Sequence, residues 1–396
     1  MSRDSKALKP LSLAQHFDAP EDYTGHFGWL CGYSADALFL DDAVERFTRL
    51  TRAQRAHQGL ISIAAFLDPG NPPISLLDAP GVAHLPIRDN AKKPFSLLHA
   101  KVALLGFRHN ESQDRWQLRL LVSTGNWTRQ TLEESLDLIW RIDIDSESLT
   151  NEDANVNKDC ADIKEAWDLM SCLQKLFDTR LLNAEANSFV SDAQQQVSDW
   201  IDACSQEADV KPRFFDNRSK SLLEQLPEKI KSNGAVERNY LAMGSGFYET
   251  SNDPQKPPEV PLRIIDKLRE EKLLTDKSKV QLYVNPNACQ SVATSLESLR
   301  ENYIQVHPAA IPTNIFGERV ERSLHAKFLF SANFSKDSNS CTSAWVYLGS
   351  GNLTHPGFSN NMSSSAGNLE AGVVFTSTSS FWKKSKDTPE HQVVTN

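Results

Sequence analysis

The chain has 396 residues, 40% hydrophobic and 23% charged, the proportions of a globular protein long enough for one large domain or two ordinary ones. No apolar run approaches the ~20 residues of a transmembrane helix, and the opening MSRDSKALKPLSLAQHFDAPED lacks the apolar centre of a secretory signal; a cytoplasmic location, or a nuclear one in a eukaryote, is expected, with no membrane partner. A net charge of −9 argues against a broad basic nucleic-acid face, and six scattered cysteines without a CxxC pair argue against a zinc cluster and read as small buried apolar residues.

In chain order, Arg88, Lys92 and Lys93 are the first candidates for a local basic channel that could neutralise a few phosphates; Arg319 and Arg322 are the second. Residues 96–105, SLLHAKVALL, open a predicted hairpin: an apolar strand, the polar loop RHNESQDR, and the return strand WQLRLLVST ending at Gly125. Two amphipathic helices follow. One places Ile163, Trp167, Met170, Leu173 and Phe177 on its core face, and the other Phe189, Ala193, Val197 and Trp200. SQEADVKPRFF, residues 205–215, is the candidate boundary between a first half, residues 1–207, and a second, 208–396. The second half then reads as a helix (SLLEQLPEKI), a strand running into a turn (NYLAMGSGFYE), a Pro-rich surface loop (251–261), a helix (LRIIDKLREEKLL) and a strand (VQLYVNP). A second hairpin starts at SLHAKFLF, residues 323–330, and returns through AWVYLGS to Gly351, ahead of a polar tail.

The two hairpins are a repeat. His99 precedes Asn126 by 27 residues, and His325 precedes Asn352 by 27; Lys101 and Lys327 keep the same offset. A lone HxK or GN is weak evidence, because a histidine in a strand is commonly a satisfied core residue and a GN marks any turn. The whole set at equal spacing, HAK, strand, loop, strand, (S/T)GNxT, points to function. Period-2 geometry is expected to put His and Lys on one face of their strand, and the glycine before each asparagine marks a close backbone approach. Across a pseudo-two-fold axis the copies supply two imidazoles, two ammonium groups and two amides. Lysine and asparagine N–H groups suit phosphate oxygens, one imidazole can attack phosphorus, and the other can protonate the leaving group and then activate water. This chemistry calls for no metal and no cofactor. Strands alternating with helices, twice over, indicate an α/β fold.

The paired HxK…N pattern resembles the phospholipase D superfamily. Most members of that superfamily carry an aspartate five residues after the lysine, where this chain has Gly106 and Ala332, and that departure is similar to the tyrosyl-DNA phosphodiesterase branch. The resemblance spans roughly residues 25–380. It implies two pseudo-symmetric phospholipase D-like halves, each a mixed sheet flanked by helices, with the active site at their interface. It also implies His99 as nucleophile, His325 as general acid and then base, and Lys101, Lys327, Asn126 and Asn352 holding phosphate. Glu370, in NLEAGVVF, matches a carboxylate that supports His99 across the interface; Asp137, in TLEESLDLIWRI, matches a polar residue that supports His325. Ser245, in AMGSGFY, matches a phosphate-contacting turn, and Phe95 the place of an aromatic that stacks on a base. Asp137 departs from the family's usual glutamine and His355 from its usual lysine. Thr128 and Thr354 read as caps of the segments they precede. The implied activity is metal-independent hydrolysis of phosphodiesters at DNA 3′ ends, single-stranded or frayed, through a covalent phosphohistidine, in DNA repair; a monomer is compatible with the sequence, which does not fix the oligomeric state. A phospholipase D-like nuclease or lipid phosphodiesterase, and a non-catalytic nucleic-acid-binding module, remain as alternatives.

Overall fold

The computed structural model describes residues 11–150, 153–183, 188–207, 210–250, 253, 255–317, 321–335, 337, 340–377 and 382–383; Arg319 and the tail beyond Lys383 lie outside them. In chain order the first half gives β1 (Tyr23–Gly32), α1 (Ala37–Thr48), α2 (Arg52–Gln58), β2 (Ile63–Leu67), β3 (Val82–Leu85), β4 (Val102–His109), β5 (Trp116–Ser123), α3 (Arg129–Glu134), β6 (Ser135–Leu136), β7 (Ile139–Asp145), α4 (Ala154–Leu176) and α5 (Ser188–Glu207). The second gives β8 (Phe214–Asp216), α6 (Leu222–Ser232), β9 (Arg238–Gly244), α7 (Glu259–Glu270), β10 (Leu274–Val284), β11 (Ile304–Pro308), β12 (Ser323–Leu324), β13 (Phe328–Ser335), β14 (Ser340–Gly349), β15 (Ala371–Ser377) and β16 (Trp382–Lys383).

The six-stranded sheet runs β3-β2-β1-β4-β5-β7, and the eight-stranded sheet runs β11-β10-β9-β13-β14-β15-β8 with β16 paired to β14. β1, β2 and β3 are mutually parallel, as are β9, β10 and β11, and the remaining neighbours are antiparallel, so both sheets are mixed and share one strand order. β4 and β5 are almost continuously apolar because the first sheet is covered on both faces. α4 and α5 lie on one side against Trp29, Phe66, Leu104 and Leu120; α1 lies on the other against Leu30, Ala65, Leu105 and Leu121. α6 and α7 cover the second sheet over Leu241, Leu282, Leu329 and Tyr347.

The halves share a core. Phe214, Leu348, Leu369, Ala371 and Val373 of the second pack into the cluster built on α4 and α5. A partly buried charge cluster fastens the joint: Arg213 pairs with Asp159 and with the fully buried Asp162, and Asp162 also accepts the Phe214 amide at 2.7 Å. The chain crosses between halves twice more, symmetrically. β12 pairs in parallel with β6, aligning Leu324 with Leu136, while Leu98 bridges Leu369.

Two expectations need correction. The HAK tripeptides are not within their strands but immediately before β4 and β13. The free edge of each is used for the crossing: the His99 and Ala100 amides donate to the Leu369 carbonyl at 2.9 and 2.7 Å, and the His325 and Ala326 amides to Leu136 at 3.1 and 2.8 Å. In α5, Phe189 is 75% exposed, since the core stripe is set one residue over and runs through Val190, Ala193, Val197 and Trp200. The α4 stripe is as read for Ile163, Met170 and Leu173, which are buried, and Trp167, packed at the margin; Phe177 is buried too but lies just past the helix, in extended backbone that bridges Ile87.

Candidate active site

The crossings deliver one carboxylate to each motif histidine from the opposite half. His99 Nδ1–H donates to Glu370 Oε2 at 2.9 Å, and His325 Nδ1–H to Asp137 Oδ1 at 3.0 Å. A carboxylate can only accept, so each contact fixes the tautomer that leaves Nε2 with its lone pair. The residue before each histidine bridges the residue before its carboxylate, and this backbone register sets both pairs.

Behind each carboxylate stands a hydroxyl two residues before the motif asparagine. Thr124 Oγ1 donates to Asp137 Oδ1 at 2.8 Å, and Ser350 Oγ donates to Glu370 Oε2. Glu370 gains a third donor, Asn368 Nδ2 at 3.0 Å. Thr124, Ser350 and Asn368 were missed as site residues in the sequence, although the hydroxyl recurs in both STGN and GSGN. The glycine expectation has a cause here: a Cβ on Gly125 would sit 2.7 Å from the Asp137 carboxyl.

Lys101 and Lys327 are fully buried. Lys101 Nζ donates to the His99 carbonyl at 2.8 Å; Lys327 Nζ donates to the Thr124 carbonyl at 3.1 Å and lies 3.0 Å from His325 Nε2. Burial and the neighbouring Lys327 lower Lys101 to about 7, and burial lowers Lys327 to about 8. Burial also brings His99 down to about 4, opposed by Glu370 and reinforced by the two lysines. His325 is lowered for the same main reason. For Glu370 and Asp137 burial pushes upward, but the contacts with the histidines and lysines win and hold both below the usual carboxylate range.

The asparagines differ. Ser245 is buried, with its Oγ 3.3 Å from Asn352 Oδ1 and accepting the Leu353 amide at 3.1 Å, so it positions Asn352. The bridges Ala35–Trp127 and Tyr248–Leu353 make Gly32 the counterpart of Ser245, and Asn126 Oδ1 correspondingly has no hydrogen-bond partner.

Phe95 is a correction: it is wholly buried in the α4–α5 core, with Lys93 Nζ 5.8 Å from its ring centroid, and has no free face for a base. His355 is engaged by Ser359 at 3.0 Å and Glu259 at 3.5 Å. Thr128 caps α3 through the Thr131 amide, whereas Thr354 makes no capping bond. Of the basic candidates that are described, Arg88 donates to the Phe177 carbonyl and Lys93 to the Ser96 carbonyl, while Lys92, 84% exposed, makes only a surface pair with Asp89. Arg322 donates to the Ser135 and Leu132 carbonyls across the β6–β12 crossing. Among the described residues no group of three or more His, Cys, Asp or Glu is arranged to hold a metal ion, and no helix is long and apolar enough to cross a membrane.

No protein-family model and no curated protein sequence matches the chain. Among solved structures, yeast tyrosyl-DNA phosphodiesterase overlays with a TM-score of 0.53 at 12% identity, covering 91% of this chain and 85% of that one. Two mutants of the yeast enzyme overlay with TM-scores of 0.54 and 0.52, at 12% and 11% identity, each over 91% of this chain and over 84% and 85% of theirs. The shared property is the fold: two mixed sheets flanked by helices.

Proposed function

We propose that the protein is a phosphodiesterase of the tyrosyl-DNA phosphodiesterase type, acting without metal on phosphodiesters at DNA 3′ ends, and that its cellular role is DNA repair. The observation that carries this reading is the reciprocal pair of Nδ1–carboxylate contacts, which leaves two imidazole Nε2 atoms and two buried lysines for one phosphate.

In the first step His99 Nε2 attacks phosphorus with its lone pair. The bond from phosphorus to the leaving oxygen breaks, and that oxygen takes the proton carried on His325 Nε2. In the second step a water gives its proton to His325, its oxygen attacks phosphorus, and the P–N bond breaks with its electron pair returning to His99. The product is a 3′-phosphate end. The strong burial effect on His99 keeps it unprotonated at neutral pH, as a nucleophile requires. His325, with 22% of its side chain exposed against 11% for His99, is the less desolvated ring and the better proton carrier. Lys101, Lys327 and the two asparagine amides stabilise the charge gathering on the phosphoryl oxygens, and Glu370 and Asp137 hold the rings and stabilise their cationic forms.

The test is cleavage of a 3′-phosphotyrosyl oligonucleotide in EDTA. The wild-type protein is expected to turn it over. His99→Ala should form no covalent adduct, and His325→Ala should be slower by about 10²–10⁴-fold and accumulate a protein–DNA adduct on a denaturing gel. Full activity in His99→Ala, or activity lost in EDTA and restored by magnesium, refutes the mechanism.

A further inference from the structure

In an in-line displacement the nucleophile and the leaving group occupy opposite faces of phosphorus, so whatever flanks the acid–base histidine flanks the leaving group. The turn that flanks His325 is Ser245–Phe247. Gly246 lies directly on the histidine: a Cβ there would be 3.2 Å from His325 Cα and 3.5 Å from ring carbon Cδ2. The next residue, Phe247, is 52% exposed, although the phenylalanines of this chain mostly fill cores.

Phe247 is also held in place. The Ser245 hydroxyl donates to its carbonyl at 2.7 Å and is the same hydroxyl that positions Asn352. On its other side Tyr248 is buried, bridges Leu353, and donates its phenol to the Tyr283 carbonyl at 2.6 Å. An exposed aromatic on a turn clamped at both ends is a pre-organised contact surface. The pseudo-symmetry sharpens the point. Taking Ala35 as the counterpart of Tyr248, residue 247 corresponds to Ser34, in the loop after β1 on the side of His99. At that position the duplicated fold carries a serine on the nucleophile side and a phenylalanine on the leaving-group side, while the preceding position is Tyr33, its ring centroid 5.8 Å from that of His99, on the nucleophile side and Gly246 on the other.

We propose that Phe247 is the specificity-determining contact for the leaving group, and that it packs against an aromatic one, a tyrosyl side chain or another aryl alcohol. The assignment rests on the phosphodiesterase reading above and deepens it. The leaving group departs in the first step, so the contact acts on formation of the phosphohistidine and not on its hydrolysis.

The experiment compares wild type, Phe247→Ala, Phe247→Leu and Phe247→Trp on one oligonucleotide bearing either a 3′-phosphotyrosyl or a 3′-phosphoethyl group. With the tyrosyl substrate, Phe247→Ala and Phe247→Leu should lower kcat/KM by about tenfold, the scale of one lost aromatic contact, while Phe247→Trp retains it. With the ethyl substrate all three should stay within about twofold of wild type. In single turnover the tyrosyl loss should appear in adduct formation, with adduct breakdown unchanged. Equal losses on both substrates in Phe247→Leu, as a base-stacking or merely structural role would give, overturn the assignment, as does no loss on either. Wild-type turnover in those cases keeps the phosphodiesterase reading standing; failure of wild type on both substrates overturns that reading and the Phe247 role together.

Discussion

At the residue scale, burial sets the pH window. In the proposed mechanism His99 must be neutral to attack, so it would be lost as a nucleophile as the pH falls through about 4. The lysines must be charged to hold phosphate. Their lowered values mean that charge is present below about 7 for Lys101 and about 8 for Lys327, and is lost as the pH rises through them. His325 must also carry its proton into the first step, and burial lowers it too, so the alkaline limb belongs to His325 together with the lysines. We therefore expect kcat/KM to be bell-shaped, with its plateau on the acid side of neutrality, and a profile still rising at pH 9 contradicts it. The hydroxyls behind the carboxylates give a second expectation. Ser350→Ala and Thr124→Val each remove a hydrogen bond to a buried charge, worth about 1.5–3 kcal/mol, so each should cost about 10- to 100-fold in kcat/KM. These residues were legible in principle: the hydroxyl position recurs at the same offset in both copies, but one sequence does not say that it faces a carboxylate 13 or 20 residues further along. Phe95 was misjudged for the opposite reason, because an aromatic four residues before a histidine looks the same whether its ring is open or enclosed.

At the scale of elements, periodicity gave α4 its stripe and the two hairpins their strands. It was silent on β1, β2 and β3, where runs such as ISIAAFL are apolar without alternation because both faces are covered. It also could not place the HAK segments outside the sheets, since a strand and an extended segment paired to the other half share one pattern. The element that fastens the halves makes its own prediction. Arg213 sits between α4 and β8, and its removal leaves Asp162, which is fully buried, without its counter-charge. Arg213→Met should destabilise the protein by about 3–5 kcal/mol, read as a lower urea midpoint, while the folded variant keeps the wild-type kcat. An unchanged midpoint would show that the cluster is not what secures the joint.

At the scale of the whole molecule, a net charge of −9 argues against a broad basic face, and the two motif lysines are buried. Binding of single-stranded DNA, measured by anisotropy with His99→Ala, should therefore weaken only gently with salt. Two lysines predict a slope of log affinity against log salt of about −1.4, and a slope near −5 would reveal a wider basic surface. The twofold organisation was visible from equal spacing alone. What spacing could not reveal is that the halves are cross-wired, and this has a consequence for the life of the chain before it is complete. A first half that has folded alone carries His99 without Glu370, and a second carries His325 without Asp137. Each separate half would hold a histidine whose tautomer no carboxylate fixes, so on the proposed mechanism assembly of the joint is also the step that orients both rings.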